Sequence, residues 1–228
     1  MEQPLFRDNV AEFDAYLSEL GKPVEKRITD YHAGGTGSHD VVMAQGMPAF
    51  MKGETYGGMM EGFRRRSATP WPPCPQARLR KWPSAATHTW AGATFGFRRG
   101  GASDFPGASI LIGGKAYYTH WAPARAHASH LQISSAAAID AETAEAENSL
   151  ASGAELFVGG HGGAVGRGAV EFRIAYLKKM KELLRENKTA GAFVDAMKQA
   201  YPGLPGEAGL EELGGGPCMS EGGRGHAQ

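Results

Sequence analysis

One histidine stands between two pairs of glycines at residues 159–163, and this segment constrains the fold more than any other. It follows a short apolar stretch, 155–158, which predicts a buried strand, and it precedes an amphipathic helix predicted over 169–187. The four glycines leave the backbone and the imidazole of His161 accessible. The Lys-Ser/Thr ending of a phosphate-binding loop is absent. The pattern predicts an α/β fold with a histidine site at a strand end, and the alternative is a tight turn with an incidental histidine.

Two further histidines follow predicted strands. His32 comes after a strand predicted over 24–29, and His120 comes after one over 116–119. Gly113 and Gly114 predict a hairpin that joins this last strand to another over 108–112. Because strand ends of this kind converge at one edge of a sheet, and imidazole is a common zinc ligand, the sequence predicts a metal site there.

Carboxylates near these histidines extend the predicted site. Asp30 lies two residues before His32, so both side chains share one face of an extended segment and can bind one ion together. Asp104 lies in a loop between two predicted strands, and His39 is close enough in sequence to fold back. For the other histidines the structural alternative, a hydrogen-bonded residue and not a ligand, is favoured: His88, His127, His130 and His226.

The remaining periodicity predicts helices and one long strand. A helix is predicted over 10–20, capped by Asp8 or Asn9 and ended by Gly21 and Pro23. One strand is predicted over 89–97, and a helix from a cap at Asp140 to 151. Thr189 is predicted to cap a last helix, with three apolar side chains directed inward: Phe193, Val194 and Met197.

The composition excludes several classes of protein. Lys and Arg balance Asp and Glu at 24 each, which argues against a nucleic-acid partner. No apolar run has the ~18 residues that a membrane span needs. Two cysteines cannot build a disulfide framework.

Glycine, at 33 of 228 residues, predicts a soluble, loop-rich protein. Because Glu2 follows Met1 and no signal peptide is present, the prediction is a cytoplasmic protein, or one exported in a longer form.

Two segments differ in composition from the rest. Residues 64–86 are basic and proline-rich, and residues 214–228 are glycine-rich. They predict an irregular surface insert and a disordered tail around one domain over 1–213. The abrupt change also fits a shifted reading frame, which sequencing of the source DNA would test.

Residues 155–163 resemble the late Gly-His-Gly loop of the metallo-β-lactamase fold superfamily, which supplies a metal-binding histidine. Residues 21–32 resemble the segment that leads into its His-x-His-x-Asp-His motif, and the whole resemblance spans roughly 4–60 and 88–213. It implies an α/β (α+β) fold, the αβ/βα sandwich, incomplete at its N-terminal strands. Without those strands the sheet would have exposed edges, and a homodimer that covers them is predicted.

The first motif departs from the family pattern. Asp30 stands at the first histidine and His32 matches the second, while Gly34 and Gly35 stand at the aspartate and the last histidine. Family members usually hold two metal ions with a bridging hydroxide, so these losses chiefly affect the second ion. Residues 100–120 look like the alkylsulfatase-type branch, in which carboxylates take places that histidines hold elsewhere.

The resemblance implies a metal-dependent hydrolase. A water bound to zinc or a similar divalent metal, one or two ions in all, would attack an ester, sulfate ester, thioester or lactam in a small-molecule substrate. Asp30, His32 and Asp104 are the catalytic candidates. The alternatives are a catalytically degenerate relative that acts in binding or assembly, and an interaction module that uses the C-terminal helices. The metal-ligand candidates are Asp30, His32, His39, His120 and His161.

Overall fold

The structure is a computed structural model that describes residues 7–28, 41–43, 53–54, 57–58, 61, 79–81, 87–99, 108–130, 132–133 and 135–215. The chain divides into two compact units. One comprises Met1–Gly100, Asp104–His120 and Gly159–His161. The other comprises Gly101–Ser103, Trp121–Val158 and Gly162–Gln228. The single domain predicted over 1–213 stays a prediction.

The first unit begins with helix α1, Arg7–Glu19, which overlaps the helix predicted over 10–20. The predicted cap is wrong, because Asp8 and Asn9 both lie inside the helix. The helix ends before Gly21, whose φ of 61° takes the chain out of the helical conformation. A parallel three-stranded sheet follows in the order β1 (Arg27–Ile28), β2 (Val41–Met43) and β3 (Leu79–Lys81). The strand predicted over 24–29 is therefore only two residues long, and β3 lies within the segment predicted to be irregular.

A second sheet has five strands in the order β4 (Thr87–Trp90), β5 (Ala93–Arg99), β6 (Ala108–Ile112), β7 (Ala116–Trp121) and β8 (Leu156–His161). The strands from β4 to β7 form successive antiparallel pairs. The hairpin predicted at Gly113 and Gly114 is confirmed, since both residues have positive φ and join β6 to β7.

The single strand predicted over 89–97 is wrong, because the chain reverses at Ala91 and Gly92. Their φ angles of 47° and 75° form a two-residue turn between β4 and β5. The error has a physical cause. Trp90 packs against Phe95 and Phe97 of the next strand, with ring centroids 5.1 and 6.0 Å apart. The aromatic residues of both strands share one face, although Trp90 and Phe95 are five positions apart, an odd number that one continuous strand would place on opposite faces. The prediction of one long strand overlooked this shift of one residue.

Helix α2 spans Ala136–Ala151, and its cap differs from the prediction. The Ser135 hydroxyl accepts the backbone N–H of Ala138 at 3.1 Å, so Ser135 is the N-cap. Asp140, the predicted cap, lies inside the helix, exposed and paired with Lys181. A helix-forming run of three alanines extends the helix back to the serine.

Three more helices complete the second unit. Helix α3 is Arg167–Glu186 and helix α4 is Ala190–Ala200, close to the predicted spans. The predicted cap of α4 is confirmed, since the Thr189 hydroxyl accepts the N–H of Ala192 at 3.2 Å. Helix α5, Glu207–Gly214, was not predicted. The Pro/Gly run before it ends α4, but Gly206, with φ of 95°, turns the chain into another helix.

The helices of the second unit share one apolar core. The three side chains of α4 predicted to face inward are fully or almost fully buried. Because the apolar faces of α3 and α4 are covered within this core, they are not open as the contact surface of an interaction module. None of the described helices is both long and apolar enough to cross a membrane. The core comprises Ala128, Ile133, Ile139, Tyr176, Leu177, Met180, Leu183, Phe193, Val194, Met197, Leu210 and Leu213.

Candidate metal centre

Two of the predicted metal ligands meet at the ends of neighbouring strands. His120 is the next-to-last residue of β7, and His161 is the last residue of β8. Their ring centroids lie 4.9 Å apart, with the planes nearly perpendicular at 83°. Both side chains are half-buried. The structure thus brings together two histidines that are 41 positions apart in the sequence.

Glycines shape the chain on both sides of His161. Strand β8 continues through Gly159 and Gly160 to His161, so the predicted strand end at Val158 is wrong by three residues. The glycines do not stop the strand, because β7 pairs beside it. Gly162 then takes a φ of 87°, which side chains rarely adopt. A Cβ at Gly162 would lie 3.3 Å from the Cβ of Ala122, so a larger residue would be crowded as well as strained.

The loop that carries His161 is closed at its base. The backbone N–H of Phe157 donates to Val165 O at 2.8 Å, and the N–H of Val165 donates to Phe157 O at 2.9 Å. This pair of hydrogen bonds fixes both ends of the segment 158–164 directly before α3. The short loop therefore restricts where the imidazole of His161 can go.

The spacing of the two rings suits shared ligation of one ion. With metal–nitrogen distances of about 2.0–2.1 Å, two imidazoles on one tetrahedral or octahedral ion have centroids roughly 4.5–5.2 Å apart. The observed 4.9 Å falls in this range. Neutral imidazole nitrogen is a preferred ligand of zinc and related ions. The distance between the His120 and His161 rings is therefore compatible with two ligands of a larger set, and their role as metal ligands stays a prediction.

The rest of that set is not tested by the structure. Among the described residues, no three His, Cys, Asp or Glu side chains lie together in a way that could hold an ion. A zinc-type site usually takes at least three protein ligands. Four predicted site residues lie outside the described residues: Asp30, His32, His39 and Asp104.

The other described histidines have structural contacts. His88 of β4 stacks on Trp90, with ring centroids 5.4 Å apart. His130 Nδ1 lies 3.0 Å from a carboxylate oxygen of Glu212 at the surface. His127 is buried, and its Nδ1 lies 3.1 Å from the hydroxyl of Tyr176. The sequence favoured a structural role for each of them, but it did not identify Tyr176 as a partner. The available signal was a tyrosine on the apolar face of α3, where a buried hydroxyl needs a hydrogen bond.

Comparison with known proteins gives a likeness in structure only. No protein-family profile and no curated protein sequence matches the chain. A solved structure of a double mutant of the sec-alkylsulfatase PisA1 superposes with a TM-score of 0.55 and 15% identity, over 90% of this chain and 40% of that one. The sec-alkylsulfatase Pisa1 from Pseudomonas sp. gives 0.53 and 16%, with the same coverage. A metallo-β-lactamase from Pontibacter korlensis gives 0.52 and 12%, over 74% of this chain and 76% of that one.

The chain has the metallo-β-lactamase fold. The predicted fold class is therefore confirmed, and the fold is shared with alkylsulfatases, the branch that residues 100–120 resemble. The chain spans about 40% of the length of those alkylsulfatases. At 12–16% identity the likeness shows the metallo-β-lactamase fold and nothing of substrate or activity.

Proposed function

We propose that this chain is a metal-dependent hydrolase whose ligands include His120 and His161. The observation that carries the proposal is the edge-to-face pair of imidazoles, 4.9 Å apart, at the ends of two neighbouring strands. Its setting in a metallo-β-lactamase fold supports the hydrolase class, because solved structures with this fold include a sulfatase and a lactamase.

The two histidines would hold a divalent ion, zinc or a similar metal, through their neutral ring nitrogens. Such an ion, when bound, supplies a Lewis acid that activates water near neutral pH. The closed loop 158–164 would keep His161 in place, which lowers the entropy lost when an ion binds. We propose that Asp30, His32 and His39 complete the ligand set, with Asp104 beside it, and that Asp30, His32 and Asp104 act on the substrate.

Sulfate esters are the first substrate class to test, ahead of carboxylic esters, thioesters and lactams. Both alkylsulfatase structures cover 90% of this chain, against 74% for the metallo-β-lactamase. We propose a small-molecule substrate, since net charge is zero and gives no steering toward a polyanion. A homodimer that covers exposed sheet edges is also proposed.

A second function rests on a specific observation. Gly34 and Gly35 stand where the family resemblance places an aspartate and a histidine, and glycine has no side chain to bind a metal. In the part of the chain that the structure describes, no three His, Cys, Asp or Glu side chains lie together in a way that could hold an ion. The alternative is therefore a degenerate relative that binds a ligand or a partner without hydrolysing it.

The test is hydrolysis by the full chain after loading with Zn²⁺, Mn²⁺ or Fe²⁺ in turn. Secondary alkyl sulfates, p-nitrophenyl esters and a chromogenic β-lactam represent the substrate classes. We expect turnover that a chelator abolishes and that falls by at least about 100-fold in His161→Asn and in His120→Asn, since each removes a ligand. His130→Asn, a change of the same type at a surface histidine, should keep full activity.

Each outcome separates the two candidates. Activity that survives chelation, or that is equal in His161→Asn and the unchanged chain, would refute the metal-hydrolase proposal. A chain that binds metal through these histidines but hydrolyses none of the three substrate classes would favour the degenerate relative.

A further inference from the structure

A buried polar cluster in the second unit is independent of the metal site. His127 is 6% exposed and Tyr176 is fully buried. The Tyr176 hydroxyl lies 3.1 Å from His127 Nδ1 and also accepts the backbone N–H of Ala128 at 3.1 Å. The other ring nitrogen, Nε2, is buried and has no hydrogen-bond partner among the described residues.

The geometry of the cluster suits one assignment of its protons. The Tyr176 hydroxyl accepts the N–H of Ala128 and can still donate its own proton. When that proton goes to His127 Nδ1, 3.1 Å away, the imidazole is neutral and carries its proton on Nε2. Burial raises the pKa of Tyr176 to about 12, which keeps this hydroxyl protonated as a donor.

Protonation of His127 would break this arrangement in two ways. Nδ1 would become a donor, and the Tyr176 proton would lose its acceptor. A positive charge would also be placed in a buried position, where a lone charge is costly. Burial therefore lowers the pKa of His127 below 6.5, against an opposing effect of Glu207 and with a small addition from Lys198.

The charged and titratable groups around the cluster come from three helices and from the segment of His127 itself. His130 of that segment lies 3.0 Å from Glu212 of α5, and Tyr201 at the end of α4 has its ring 5.1 Å from that of Tyr176. Arg173 and Tyr176 lie on α3, with the Arg173 guanidinium 5.9 Å from the tyrosine ring. Lys198 lies on α4 and Glu207 begins α5, where they pair at 3.0 Å. Burial lowers the pKa of His127, Glu207 opposes this effect and Lys198 partly offsets Glu207, so burial still decides the direction.

His127 also contacts the connection between α4 and α5 directly. Its backbone N–H donates to Pro205 O at 2.7 Å. Gly206 approaches so closely that a Cβ there would lie 3.1 Å from the carbonyl oxygen of His127. One turn into α5, a Cβ on Gly209 would lie 3.0 Å from the Cβ of Ser129. The segment 126–130 therefore packs directly on 205–209.

We propose that His127 makes a pH-dependent contact. While His127 is neutral, it holds the 201–206 turn and helix α5 against segment 126–130. When His127 is protonated, the turn and the helix are released. The sign follows from proton linkage. The pKa of His127 is depressed in the closed state, so the open state binds more protons. The closed state is at full stability above pH 6.5 and loses stability as pH falls below that value.

The test is amide hydrogen exchange of residues 201–215 in the full chain at pH 7.5 and pH 5.5, corrected for intrinsic rates. One unit below an ordinary histidine pKa, the open state gains up to about tenfold in population. We expect this gain in the unchanged chain and less than about twofold in His127→Asn, whose amide oxygen can accept from Tyr176 without titrating. His88→Asn, which changes a histidine of the first unit, should keep the full gain.

The outcomes are distinct. Equal acid sensitivity in His127→Asn and the unchanged chain would overturn the proposal. If His127→Asn does not fold, ring ¹⁵N shifts of the unchanged chain still test it. A neutral imidazole that is protonated at Nε2 supports the proposal, whereas a proton on Nδ1 at neutral pH overturns it.

Discussion

Removal of one hydroxyl, by Tyr176→Phe, tests whether the buried His127–Tyr176 cluster stabilises the second unit. The substitution keeps the ring and its packing in the core but deletes an atom with two partners. The N–H of Ala128 and Nδ1 of His127, each 3.1 Å away, would both lose their hydrogen bond. Both residues are buried, so water does not readily replace the hydroxyl.

Each of the two buried groups left without a partner costs about 1–3 kcal/mol, so the free energy of unfolding should fall by about 2–6 kcal/mol. For a chain of this size that is a decrease in melting temperature of roughly 4–24 °C. Urea unfolding followed by circular dichroism measures it. Tyr201→Phe is the control, because it deletes a hydroxyl from a half-buried ring 5.1 Å from Tyr176. A loss below ~0.5 kcal/mol, or one equal to the control's, would refute the reasoning.

Two further substitutions test the backbone. Ala91→Gly should raise the free energy of unfolding by about 1 kcal/mol. Ala91 has a φ of 47°, at which the Cβ atom of alanine is strained and glycine is not. No increase in melting temperature, with Ala93→Gly as the destabilising comparison, would contradict this. Gly214→Ala should lower the free energy of unfolding by about 1–3 kcal/mol, because the new Cβ would lie 2.7 Å from Val194 Cγ2. A chain as stable as the parent would show that α4 and α5 are packed less closely than described.

Local signals predicted four of the five described helices and the hairpin between β6 and β7. Gly21 ends α1, and Thr189 begins α4 as a cap, because these residues act on the adjacent backbone. The errors lie where tertiary contacts decide. The turn at Ala91 and Gly92 begins with a residue that seldom adopts positive φ, so the usual Asn-Gly or Gly-Gly hairpin signal is absent. Helix α5 begins at Gly206, whose conformation depends on close packing against His127.

The candidate site was only partly readable from the sequence. Both His120 and His161 were selected because they lie at predicted strand ends, and His161 also because glycines flank it. The order of the strands in the sheet brings the two histidines together. The contacts of His127 were not readable, since a buried partner 49 positions away leaves no local pattern. Asp30, His32, His39 and Asp104 stay predictions, because they lie outside the described residues.

Metal content is the most direct measurement of the central claim that His120 and His161 bind a metal. The full chain, saturated with Zn²⁺ and freed of excess, would be analysed for zinc beside the His120→Asn/His161→Asn double variant and the His130→Asn control. We expect about one or two ions per chain in the parent and the control. We expect loss of bound zinc in the folded double variant. Equal zinc in all three proteins, or none in the folded parent, would contradict it.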